Sequence, residues 1–262
     1  MTGSISCSIN IWKNDMGIPV KRFIDHLDLC FQKNDMKAAG ECISYWENEA
    51  RRLSDDRGLL TVLNEALGYF RRTNGKDRAL SVVNECMDLV ERLNLSDQLT
   101  GATILINAAT TLSAFKETQK ALPVYENAAD IYKSKNATIT YEYASLLNNM
   151  ASALYELKRY DEAKASWNEA MDILKKIGSH AGEIAVSLIM LAHLTYDMDD
   201  TAYDMVEELL DLAWEYINSD DQPKDHRYAF ILSKCVPSFE YFKRPLEAKA
   251  LKEVINEIYS GL

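Results

Sequence analysis

The residues of this 262-residue chain with the plainest binding chemistry are asparagines. Asn64, Asn107, Asn148 and Asn149 recur at similar positions in stretches of helical pattern, beside the apolar face. An asparagine side chain both donates and accepts, so a row of them can hold a peptide backbone whatever its sequence. Asparagine is also a mediocre helix former, so its recurrence calls for a reason. The competing reason is that these side chains tie neighbouring helices together or face water. Thr103, Thr110, Ser145 and Ser152 are candidates for the same surface. Arg71 and Arg72 have the chemistry to hold a ligand carboxylate. Near the end of a helix they serve equally as solvated cations that offset its dipole.

A second set is acidic. Residues 179–221 hold eleven Asp and Glu and no Lys or Arg. Glu207, Glu208, Asp211 and Glu215 share one helical face, where like charges four apart repel. Three readings stay open: a solvated face, a docking surface for a basic partner, or a cation site at Asp197, Met198, Asp199 and Asp200. The last lacks the Gly and the closing Glu of a calcium loop. No metal is expected. His26, His180, His193 and His226 are never paired at metal-ligand spacing. His193 lies in an apolar run and reads as a packing or groove residue. No Gly-rich phosphate loop, HExxH or GxSxG is present, so neither catalysis nor a cofactor is expected.

The formal net charge of −11 is therefore local: the other segments, taken repeat by repeat, sum to zero. Acidity argues against nucleic acid as a partner, since phosphate neutralisation needs clustered cations. With 25 aromatics against ten Gly and five Pro, the bulk of the chain is expected to fold. The longest uncharged stretch, 98–115, is too rich in Thr, Asn and Ser to span a membrane. The N-terminus lacks a signal-peptide pattern. Cys7, Cys30, Cys42, Cys86 and Cys235 are odd in number and unpaired in spacing, so reduced thiols in the cytoplasm are expected.

The elements that would position these residues repeat. Apolar anchors Phe23, Leu63, Ile106, Leu147, Leu188 and Leu232 are spaced by 40, 43, 41, 41 and 44 residues. A small residue follows each by 14 to 16: Ala39, Ala79, Ala121, Ala163, Ala202 and Ala248. Seven further on stand Trp46, Cys86, Ala128, Ala170, Leu209 and Ile255. Leu147, Met150, Ala151 and Leu154 make one helical face. Ala163, Trp167, Ala170, Met171 and Leu174 make another, with a polar turn between them and Asp161 placed to cap the second helix. Each repeat is thus two antiparallel helices, with alanine where the pair must approach closely.

Pro19 and Pro245 fall at helix starts, and Pro223 falls in a linker. Pro123 and Pro237 predict a late helix start or a kink. The β-branched stretch 136–143 is read as a linker and helix start. The fifth repeat shows a shorter turn, at 197–200, and a large Leu209 where alanine is usual.

This pattern resembles the tetratricopeptide repeat (TPR), best over residues 144–177, where Leu147, Ala151, Leu154, Tyr160, Ala163, Trp167 and Ala170 occupy the family's packing positions. The period of about 41 is similar to the long-helix variety of kinesin light chains and bacterial regulators. The resemblance implies an all-α, right-handed superhelical solenoid of about six helix pairs, with repeats near 19–57, 58–98, 99–138, 139–179, 180–222 and 223–262. First helices would line a concave groove that takes a peptide or a partner helix. The basic and Asn set with which the family clamps a C-terminal carboxylate is not found.

The expected function is a non-enzymatic, cytoplasmic scaffold that binds a protein or peptide, with no cofactor. The alternatives are a peptide-sensing regulator of a transcription factor or phosphatase and, more remotely, an enzyme on a helical solenoid. Asn64, Asn107, Asn148, Asn149, Arg71 and Arg72 are the groove candidates. Residues 1–18 form a tail or cap, with 5–12 apolar enough to fold back. Leu251, Val254, Ile255, Ile258 and Tyr259 on the last helix predict a homodimer.

Overall fold

A computed structural model describes residues 17–219 and 223–260, so the 5–12 segment and Cys7 lie outside the described residues. The described residues form twelve helices and no strand. These are α1 (Val20–Gln32), α2 (Met36–Arg52), α3 (Asp56–Thr73), α4 (Lys76–Arg92), α5 (Leu99–Ala114) and α6 (Thr118–Ser134), followed by α7 (Tyr141–Glu156), α8 (Tyr160–Ile177), α9 (Ala181–Met198), α10 (Tyr203–Ile217), α11 (His226–Tyr241) and α12 (Pro245–Ser260). They group into two halves, divided between Asn136 and Ala137.

Each half holds three helix pairs. In the first, α1 packs on α2, α3 on α4 and α5 on α6, and successive pairs stack through α1–α3, α2–α3, α3–α5 and α4–α5 contacts. In the second the pairs are α7–α8, α9–α10 and α11–α12, stacked through α7–α9, α8–α9 and α9–α11. Turns of two to four residues inside each pair make its helices antiparallel. The fold is an all-α helical-repeat solenoid.

The apolar anchors explain the stacking. Phe23, Leu63, Ile106, Leu147, Leu188 and Leu232 are all buried. Ala39, Ala79, Ala121, Ala163 and Ala248 are buried as the fourth residues of their second helices, where a methyl group lets the partner helix come close. Side-chain caps set several starts: Asp35, Asp55, Thr140 and Asp225 accept the N–H of Ala38, Gly58, Tyr143 and Tyr228 at 2.9, 2.9, 3.2 and 3.0 Å. The ends use left-handed residues, among them Asn34, Asn74, Asn94 and Asn136, because Asn tolerates positive φ. Gly101 of α5 sits against the Leu95 carbonyl, where a Cβ would collide with backbone.

The fifth repeat corrects the frame. Helix α9 runs on to Met198, and the turn is 199–202, the longest inside any pair. Asp199 closes it, accepting the backbone N–H and hydroxyl of Thr201 at 2.9 and 2.6 Å. Ala202 is therefore the residue before α10, and the fourth position belongs to Val206, which is buried. Seven further on stands Ala213, fully buried, so the small residue assigned as missing at Leu209 is present one turn later.

Other expectations shift in smaller ways. Pro123 and Pro237 sit inside α6 and α11, which neither start late nor stop there. Both prolines are on exposed faces, where water can serve the carbonyl left without its helical partner. Arg159, not Asp161, is the residue before α8; Asp161 lies in the first turn, where its charge suits the helix dipole. The 136–143 stretch is a linker followed by the α7 start, with Thr140 as the cap. Leu251 is buried, facing inward rather than onto the outer side of α12.

Candidate functional site

In the first half the polar side chains gather on α3 and α5. Asn107 Nδ2 donates to Asn64 Oδ1 at 2.9 Å, and both residues are buried. Asn64 Nδ2 donates to Glu65 Oε1 at 3.2 Å. Arg71 Nη1 donates to Thr111 Oγ1 at 2.7 Å, and its Nε is buried without a hydrogen-bond partner among the described residues. Removal from water pulls the Arg71 guanidinium down to about 10. Burial pushes the Glu65 carboxyl up to about 7, with the Asp28 charge adding to the rise while Asn64, Arg71 and Arg72 oppose it. Arg72 is exposed, its guanidinium 4.3 Å from the centre of the Phe31 ring on α1.

Thus Asn64, Asn107 and Arg71 each bridge consecutive first helices, as the competing reading of the asparagines allows. Arg71 is not a solvated cation. Helix α5 is buried on all sides from Gly101 to Leu112, as a helix apolar or small all round must be. Thr103 and Thr110 belong inside the α5–α6 pair: Thr103 Oγ1 lies 3.5 Å from the Tyr132 hydroxyl, and the Tyr125 hydroxyl donates to Thr110 at 3.1 Å. They are not on a free surface.

The second half repeats the bridge. The Ser187 hydroxyl on α9 donates to Asn148 Oδ1 on α7 at 2.9 Å. Asn149 and Ser145 are half-buried, and the exposed Ser152 donates to the Asn148 carbonyl at 3.0 Å. At the start of these helices, Arg227 pairs with Glu183 and lies 4.8 Å from the Tyr141 ring centre, while Tyr141 stacks on His180.

At their other end is an aromatic group. The Tyr155 hydroxyl donates to Asp197 Oδ2 at 2.6 Å. The Tyr196 ring touches those of Tyr203, Tyr241 and Phe242, with centroids 6.4, 6.1 and 6.0 Å away. His193 packs on Tyr241 and Phe242 and shares a 2.9 Å hydrogen bond with Ser238. Its burial lowers its proton affinity.

The acidic face of α10 is partly spent within the chain. Arg244 pairs with Asp211 at 2.6 Å, Glu207 at 3.6 Å and Glu247 at 2.7 Å, leaving Glu208 and Glu215 exposed on the open side. Among the described residues no group of three or more His, Cys, Asp or Glu has a metal-binding arrangement. Asp199, in the aspartate run, turns its Oδ1 inward to Thr201. Cys30, Cys42, Cys86 and Cys235 are free and buried. No helix among the described residues is long and apolar enough to cross a membrane.

Sequence reasoning missed Glu65 and the aromatic group. Glu65 had no signal beyond adjacency to Asn64. The tyrosines had one: Tyr155, Tyr196 and Tyr241 follow the repeat, 41 and 45 residues apart.

Comparison with known proteins agrees with this architecture. A tetratricopeptide-repeat family profile matches residues 142–213, spanning most of α7–α10. The structure is similar to BtubC (BKLC) from P. vanneervenii, at 16% identity over 88% of this chain and 91% of that one, with a TM-score of 0.59. It is similar to a putative kinesin light chain of Podosopora anserina with TPR-like repeats, at 14% identity over 77% and 95%, TM-score 0.55. It is also similar to a Rap protein solved with competence and sporulation factor, at 13% identity over 92% and 76%, TM-score 0.55. No curated protein matches the sequence. Residues 142–213 thus match the tetratricopeptide-repeat family profile, and the chain as a whole shares the helical-repeat fold of these solved structures.

Proposed function

We propose that this protein is a non-enzymatic scaffold that binds a protein or peptide on the exposed flank of its first helices. The observation that carries this is the Glu65–Arg71 neighbourhood on α3. A half-buried carboxyl and a half-buried guanidinium with an unpaired Nε stand on one helix, each within reach of the other's charge, and such groups add little to stability. Ionisable groups kept at that cost are candidates for recognition. Arg72 extends the strip into solvent in the first half, and in the second half Asn149 stands at the repeat position that Glu65 holds in the first.

A peptide-sensing regulator is a narrower form of the same reading, supported through fold alone by the Rap protein solved with competence and sporulation factor. Buried free thiols support a reducing, cytoplasmic setting. The exposed Leu246 and Tyr259 on α12 support self-association, and Glu208 and Glu215 support a basic partner on the other side of α10.

The test is affinity capture with the full chain beside an Arg72→Glu variant and a Glu215→Gln variant. A partner retained by the parent and by Glu215→Gln but lost by Arg72→Glu supports the first-helix flank. Equal retention by all three overturns it.

A further inference from the structure

We propose that the tyrosine-lined turn edge of the second half docks an arginine-bearing segment of a protein partner. The surface is formed where α7, α9 and α11 end, and it shares no residue with the α3 flank, so neither requires the other.

Its rings are unusually open to water. Tyr203 is 62% exposed, Tyr241 54% and Met198 56%, and Tyr196 joins the two tyrosines into one continuous group. Scattered single exposed aromatics are ordinary, but a connected, exposed set marks an interaction surface. Tyrosine suits that role because its ring is rigid and apolar while its hydroxyl remains wet.

Charge names the occupant. Asp197, Asp199, Asp200 and Asp204 stand on the same edge; of the four cations in the neighbouring turns, Arg159 is paired with Glu162 and Arg244 with Glu207, Asp211 and Glu247, which leaves Lys158 and Lys243 against them. Asp199 is spent on Thr201, and Asp197 uses one oxygen on Tyr155. The second oxygen of Asp197 and both oxygens of Asp200 make no hydrogen bond among the described residues. Carboxylates beside ring faces fit a cation. A guanidinium fits better than an ammonium, because it stacks flat on a ring while its edge donates to a carboxylate. The chain itself shows the ring half of this contact: Lys158 stands 5.4 Å from the Tyr160 centroid and 6.0 Å from that of Tyr155. Nucleic acid is disfavoured on the same edge by the aspartates.

The test uses the full chain and a labelled Gly/Ser peptide carrying three arginines, with lysine and glutamate versions, read by fluorescence anisotropy. The arginine peptide is expected to bind several-fold more tightly than the lysine one, and the glutamate one not at all. Tyr203→Ala with Tyr241→Ala should weaken arginine binding about tenfold at unchanged secondary structure. Asp200→Asn, at an exposed turn residue, should weaken it several-fold and keeps the test valid if the tyrosine variant misfolds. Glu208→Gln with Glu215→Gln should leave binding unaltered. Equal binding of lysine and arginine peptides, or loss only in the Glu208/Glu215 variant, overturns the proposal.

Discussion

Asn107 donates to Asn64 at 2.9 Å across two consecutive first helices, with both side chains buried. The amides that sequence suggests for a ligand are, in the first half, partners of each other. Deleting Asn107 leaves the buried Asn64 Oδ1 without its donor, although Nδ2 keeps Glu65, and deleting Asn64 leaves the buried Asn107 Nδ2 without its acceptor. Asn107→Ala should therefore lower stability by about 1–3 kcal/mol in urea unfolding, and the Asn64→Ala/Asn107→Ala pair should cost less than the sum of the singles.

The register of the fifth repeat makes a sharper prediction. Ala213 is fully buried, Leu209 is half-buried and Ala202 precedes the helix. Ala213→Leu should cost about 1–3 kcal/mol by overpacking. Ala202→Ser, at the uncapped residue before α10, should raise stability by about 0.5–2 kcal/mol by accepting an N–H of the first turn. Thermal melts of the two variants check the assignment.

This repeat also shows what was legible in the sequence. The frame of apolar and small anchors was readable because each repeat buries the same positions, and five of the six alanines lie where the frame puts them. Ala202 misled because it sits one helical turn before Val206, on the same face. A period alone does not separate two positions four apart; the length of α9 does, and that follows from how far its apolar face finds cover. The candidate site was less legible. Asn64 and Asn148 stand at like positions, but burial decides whether an amide meets a ligand or a neighbouring helix, and burial is set by helices some forty residues away.

Glu65 gives a pH signature. Its folded-state carboxyl is raised to about 7, above its ordinary value, so the folded chain holds a proton there that the unfolded chain releases earlier. Its contribution is most favourable below about 4.5 and is lost as pH rises through about 7. The stability of the parent relative to Glu65→Gln should therefore fall by about 1–3 kcal/mol between those limits. Denaturant unfolding at a series of pH values checks it; a flat difference contradicts the burial of this carboxyl.

Arg244 gives the last pair its cross-link. Its half-buried guanidinium joins Asp211, Glu207 and Glu247 and lies 5.8 Å from the Phe239 ring centre. Arg244→Ala should destabilise by about 1–3 kcal/mol, since it removes packing as well as charge and leaves the Glu207 and Asp211 carboxylates without their counter-charge. Arg244→Lys should recover part of the loss but not the forked geometry. Amide exchange in α10 and α12 should rise in the alanine variant before that in α7.

The central claim is that partners meet the first helices rather than the second. Site-specific photo-crosslinking tests it most directly. A benzophenone amino acid replaces exposed Arg72 on α3 in one sample and exposed Asp88 on α4 in another. The account predicts a partner crosslink from position 72 and none from position 88. A crosslink from 88 alone, or equal yields from both, would contradict it.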